Sequence, residues 1–149
     1  MLDRSNVGHE FDSYNVDIEK GRLKFFAKAI GETNPVYLSE TAAHNAGYKT
    51  IPAAPTFLFA LDMEGPELLP VLNFLSMDIS RVLHGSQEFE YLGMIYAGDN
   101  ITVTSYIKDI FDKKSGALEF VVLENTYTNQ HGDLVSKAIN SLVYRNPNV

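Results

Sequence analysis

A chain of 149 residues, 45% hydrophobic and 21% charged, has the length and composition of one globular domain spanning residues 1–149. Its 12 Lys and Arg against 19 Asp and Glu leave a net charge of −7, which repels phosphate backbones and anionic lipid; neither nucleic acid nor a membrane is an expected partner. The absence of Cys excludes disulfides, thiolate nucleophiles and sulfur-bound metal, and fits a cytoplasmic protein.

The N-terminus carries no apolar segment of signal-peptide length, and no run of about eighteen apolar residues follows it. Residues 10–16 alternate loosely and predict a short strand. Asp17 is then placed to cap a helix whose apolar positions Ile18, Leu23, Phe26, Ala27 and Ile30 recur at helical spacing and which ends at Gly31. Ser39 caps a second, short helix through Ala46, ended by Gly47.

The stretch Ile51-Pro52-Ala53-Ala54-Pro55 is extended, because each Pro biases its predecessor away from the α region. From Thr56 the residues Phe57, Leu58, Phe59, Ala60, Leu61 and Met63 are apolar nearly all round, which predicts a helix buried on every side, stopped by Gly65-Pro66. Four segments rich in Val, Ile, Thr, Tyr and Phe follow, at 82–96, 100–111, 117–128 and 134–145. Short turn-forming connections between them, Ala97-Gly98-Asp99 first, predict a meander of consecutive antiparallel pairs. Helices first and long strands afterwards read as α+β. The economical packing is a hot-dog fold, in which a long antiparallel sheet wraps a buried central helix. Its long exposed edge calls for a dimer partner.

The stretch Phe26-Ala27-Lys28-Ala29-Ile30-Gly31-Glu32-Thr33-Asn34-Pro35-Val36-Tyr37 resembles the signature of MaoC-like hydratases, in which a helix ends in Gly-Asp-x-Asn-Pro-x-His. Further similarity lies in Ile51-Pro52-Ala53-Ala54-Pro55-Thr56-Phe57 and in Leu83-His84-Gly85-Ser86-Gln87-Glu88-Phe89-Glu90-Tyr91. Taken in order, these segments resemble the FAS1-like dehydratase N-terminal domain across nearly the whole chain. The resemblance implies a hot-dog fold, dimeric or pseudo-dimeric assembly, and chemistry on enoyl or 3-hydroxyacyl thioesters of coenzyme A or acyl carrier protein; no cofactor and no metal are expected. In that family an Asp and a His hold water against C3 and shuttle a proton at C2, while backbone N–H groups at the central helix polarise the thioester carbonyl.

This chain departs from the pattern three times. Glu32 stands at the Asp position, Tyr37 at the His position, and Pro55, which has no N–H, at the helix-start position usually filled by Gly. Ordinary structural readings stand beside these: Glu32 as a loop carboxylate, Tyr37 as a packed aromatic or a substrate-tunnel wall, and Asn34-Pro35 as a turn former. His84, read as lying near the sheet centre, is either a core residue or an alternative base. The four His lack the paired spacing of a zinc site. The acyl group is expected along Asn34, Pro35, Ala54, Pro55, Thr56 and Phe57.

The leading expectation is a substrate-holding subunit whose heterodimeric partner supplies the intact dyad. The alternatives are a homodimeric hydratase or thioesterase with an altered site, and an acyl-thioester-binding protein without chemistry.

Overall fold

The computed structural model describes residues 1–67 and 69–146. Four short helices, α1 (Lys20–Ala29), α2 (Glu40–Asn45), α3 (Phe57–Leu61) and α4 (Pro70–Phe74), accompany five strands: β1 (Tyr14–Asp17), β2 (Val82–Tyr91), β3 (Asn100–Lys113), β4 (Leu118–Asn129) and β5 (Leu134–Arg145). The strands form one antiparallel sheet in the order β1-β3-β4-β5-β2. Burial alternates strictly along β4, as period-two patterning demands of a sheet with one face in the core.

Three expectations need correction. The segment 82–96 does not pair with its successor in sequence; β2 pairs with β5 at the far edge of the sheet. Its strand ends at Tyr91, after which Leu92 and Gly93 both donate to the Val135 carbonyl and Ala53 donates to that of Ile95. The chain thereby leaves the ladder and crosses to the opposite side, and Ala97-Gly98-Asp99 belongs to that crossover. Gly98, at φ +89°, makes its turn.

Asp17 is not a helix cap either. It ends β1 and its carboxylate accepts from the Asn100 amide at 2.8 Å, while α1 begins after Glu19. At the other end, Gly31 at φ +73° and the Glu32 N–H donating to the Ala27 carbonyl close the helix in a Schellman arrangement. Ser39 caps α2 through the Ala42 N–H, as its position predicts.

The third correction concerns the central helix. It is five residues long, and although Phe57, Leu58 and Leu61 are buried, Phe59 is exposed beside the outer edge of β2. Gly65-Pro66 interrupts the apolar segment, and α4 resumes after Leu69, which adopts a left-handed φ of 54°. The sheet is therefore covered by two separate helical pieces. Helix α3 joins Leu23, Val103, Tyr127 and Ala138 in one apolar cluster; α4 joins Ile107, Val121, Leu123 and Leu142 in another.

The edge strand β2 carries a bulge between His84 and Ser86. A Cβ built on the intervening Gly85 would stand 2.9 Å from the Val143 Cγ2 and 3.0 Å from the Ser141 carbonyl oxygen. Gly85→Ala must then push β2 off β5, and we expect a loss of about 1–2 kcal/mol in chemical denaturation. Unchanged stability would show that the bulge relaxes freely.

Candidate functional site

The loop after α1 is organised by its own side chains. The Glu32 Oε1 accepts from the N–H groups of Thr33 and Asn34, both at 2.8 Å, so the carboxylate is folded back on its own backbone. Asn34 Oδ1 accepts from the Val36 N–H at 3.2 Å and caps a 3-10 turn, Pro35–Tyr37, with Pro35 at its first position. Asn34 and Pro35 are exposed.

That turn delivers Tyr37 into a cleft of about 200 Å³ lined by Tyr37, Tyr48, Pro55, Leu58, Tyr91 and Met94 among others. Burial pushes the Tyr37 phenol above its ordinary value, with the Tyr48 phenol and the Glu32 carboxylate adding to the effect. The phenol is thus neutral near pH 7. Of the three positions singled out by the motif, Tyr37 and Pro55 line the cleft, while Glu32 is not part of its lining and its carboxylate helps raise the Tyr37 phenol.

Ala54, Pro55, Thr56 and Phe57 form the tight turn into α3. The Phe57 N–H donates to the Ala54 carbonyl at 2.9 Å, Pro55 has no N–H, and the Thr56 side chain makes no cap bond. Ala54 and Phe57 are buried, Pro55 and Thr56 exposed. The turn thus commits one early N–H internally and lacks another.

His84 lies elsewhere than expected. It is exposed on the edge strand, with its ring 5.5 Å from that of Phe59 and its Nε2 3.2 Å from the Gln87 Oε1. It does not line the Tyr37 cleft. The sequence reading placed it near the sheet centre, whereas β2 is an edge strand of the sheet.

A second polar site escaped the sequence reading. Asp62, the residue after α3, is largely buried; Tyr127 donates to its Oδ1 at 2.6 Å, while its Oδ2 has no partner. Burial pushes its pKa up to about 6, an effect that the Tyr127 hydroxyl and the nearby Asn125 side chain only partly offset. Asn125 and Asn140 lie nearby on inward-facing positions of β4 and β5, each with an unpartnered Oδ1. The available signal was in the alternation: Val121, Leu123 and Tyr127 face inward with Asn125 among them, and Ala138 and Leu142 with Asn140 between. Among the described residues no group of three or more His, Asp or Glu is placed to hold a metal, and no helix is long and apolar enough to cross a membrane.

Comparison with known proteins gives a consistent result. A family model described as FAS1-like, dehydratase domain region, matches residues 5–138. The UPF0336 protein of Streptomyces avermitilis is 38% identical over 147 residues, which cover 97% of this chain and 95% of that protein. A chain of the HadBC (3R-hydroxyacyl-ACP dehydratase) complex from Mycobacterium tuberculosis is 25% identical over 90% of this chain and 92% of its own, with a TM-score of 0.74. A protein described as a MaoC-like dehydratase superposes with a TM-score of 0.83 at 20% identity, over 97% of this chain and 43% of that one. The five-stranded sheet and its helices are those of a hot-dog fold.

Proposed function

We propose, from the premise that this chain belongs to the FAS1-like dehydratase family, that it is the acyl-thioester-holding subunit of an (R)-specific hydratase or dehydratase whose partner supplies the catalytic Asp and His. The observation that carries this reading is the state of the motif positions. Glu32 is occupied as a cap for its own loop, and Tyr37 is a neutral phenol held in a half-buried cleft. A neutral phenol does not take a proton from water near neutral pH, and Glu32 commits one of its carboxylate oxygens to its own loop. The turn at Pro55 adds to it, since a thioester carbonyl lying there meets a residue without N–H and a Phe57 N–H already spent on Ala54.

The cleft suits the holding role. Tyr48, Leu58, Tyr91 and Met94 offer apolar walls to an acyl chain, while Tyr37 adds a phenol among them and the Ser136 hydroxyl is committed to the Glu90 carbonyl. The outer edge of β2 supports assembly with a second hot-dog chain. Among the described residues its ladder groups have no partner strand on that side, and Phe59, Leu83, Tyr91, Leu92 and Met94 are exposed on or near it. The HadBC structure is itself described as a complex of a 3R-hydroxyacyl-ACP dehydratase. The carrier, coenzyme A or acyl carrier protein, binds in this reading outside the cleft, and the cytoplasm is the fitting compartment.

The chain alone should hydrate crotonyl-coenzyme A no faster than a blank, and should gain activity on mixing with a MaoC-type chain that carries an intact dyad and co-purifies with it. Robust turnover by the isolated chain, abolished by Glu32→Gln, would make this an altered-site homodimeric enzyme.

A further inference from the structure

The break between α3 and α4 leaves an interior cavity of about 50 Å³ reaching Asp62, Asn125 and Asn140. It shares Phe11, Asp12, Tyr14, Glu67 and Pro70 with an adjoining surface cleft of about 340 Å³, so the inner space opens outward past an aromatic and acidic mouth. Glu10 and His9 complete the titratable groups of that mouth. No Lys or Arg is among the described residues lining either space, and Asp62 forms no ion pair with any described residue.

Three acceptor oxygens here have no partner: Asp62 Oδ2, Asn125 Oδ1 and Asn140 Oδ1. Asn125 and Asn140 are 5% and 3% exposed, so bulk water does not satisfy them. An unpaired acceptor at such depth costs on the order of 1–3 kcal/mol, and a mostly buried carboxylate without a counter-ion costs more. The nearby hydroxyls do not serve the open oxygens: Tyr127 donates to the other carboxylate oxygen and Tyr14 to the Leu61 carbonyl.

A ligand complementary to these three oxygens brings donors and positive charge. A primary ammonium carries three N–H donors and one charge, matching three acceptors of which one is anionic. A guanidinium is flat and larger, a quaternary ammonium has no N–H, and the described carboxylates do not cluster as metal ligands. A cavity of about 50 Å³ exceeds the ~10–15 Å³ that one water-sized group needs. Phe11, Tyr14 and Pro70 at the junction then suit a methylene chain leading outward.

We propose that this cavity binds a primary alkylammonium ligand, with Asp62 as its counter-ion, Asn125 and Asn140 as the other acceptors, and the alkyl chain lying in the mouth between Phe11, Tyr14 and Pro70. The site is distinct from the Tyr37 cleft, with which it shares no lining residue, and does not depend on the acyl-thioester reading.

The test is thermal unfolding of the whole chain, at neutral pH in physiological salt, with hexylamine, hexan-1-ol or hexyltrimethylammonium added. Hexylamine at ten times its Kd should raise Tm by roughly 3–6 °C, with little shift from the other two. The rise should be lost in Asp62→Asn and reduced in Asn140→Leu, and nitrogen-15 spectra should show the side-chain amide signals of Asn125 and Asn140 moving with hexylamine. Equal shifts from hexanol would make the pocket an uncharged one, and equal shifts from the trimethyl compound would make the effect general electrostatics. Either result overturns the proposal, as does a full response in folded Asp62→Asn or no response to hexylamine in the wild type.

Discussion

Asp62→Asn should stabilise the ligand-free protein at pH 7 by about 2–3 kcal/mol and raise Tm by roughly 5–10 °C. In the unfolded chain this carboxyl ionises near its ordinary 3.8; in the folded protein burial holds the proton until about pH 6. Between those values the folded state binds more protons, so the contribution of Asp62 is most favourable at low pH and declines as pH rises through the window. Above it the folded protein carries a largely buried anion, and a shift of about two units is worth about 3 kcal/mol. Asn imitates the protonated acid, keeps an acceptor for Tyr127, and offers the unpartnered Asn oxygens a donor.

The measurement is the difference in unfolding free energy between variant and wild type from pH 4 to pH 8. It should be near zero at the acid end and reach a plateau above pH 7. The difference is the quantity to follow, because hydrogen bonds from Lys20 to Glu40 and from Ser80 to Asp78 lower those pKa values and make stability rise with pH in both proteins. A variant no more stable than wild type at pH 7 would show that Asp62 is not paying a burial cost.

Restoring the family's chemical groups should reveal what the chain lacks. Glu32→Asp with Tyr37→His should give little hydratase activity, whereas adding Pro55→Gly should raise it by on the order of 10²–10³, the usual cost of one missing oxyanion donor. Pro55→Gly alone should do nothing measurable, because groups acting as a unit combine non-additively. Pro55 is exposed and sits in a turn, so the third change threatens packing little. All four proteins are to be assayed on one enoyl thioester, with folding checked by thermal unfolding. A double variant that already matches a competent hydratase would mean that the carbonyl is polarised elsewhere. A folded but inert triple variant would mean that the cleft does not present the thioester to these groups.

What was legible in the sequence follows the physics of each element. The limits of β5 are those the sequence indicates, and β3 and β4 agree within two residues, because β-branched and aromatic residues alternate on a half-buried sheet. The crossover after Tyr91 was hidden, because Leu92, Met94, Ile95 and Tyr96 continue an apolar strand pattern while the backbone bonds of Leu92, Ile95 and Tyr96 go to Val135, Ala53 and Asp99. Positions 32, 37 and 55 stood out through motif spacing, which survives even where the residues differ. The capping role of Glu32 depends on side-chain torsions that no spacing encodes. Asp62 was passed over because a lone carboxylate after an apolar run looks like a surface helix end.

The separation of β2 from β3 also bears on how the sheet can assemble. Strands β3, β4 and β5 are joined by short turns, so their ladders close small loops and cost little chain entropy. Val82 must instead find Tyr144, and Tyr14 must find Val103, each across most of the intervening chain. Non-local pairings of this kind slow folding, which makes the meander the natural nucleus and leaves both outer strands to join late. Until β2 docks on β5, the surface that ends as the outer edge of the finished sheet does not exist. A second chain cannot be recruited there by a half-folded one, so under the proposed assembly folding of the protomer precedes any association through that edge.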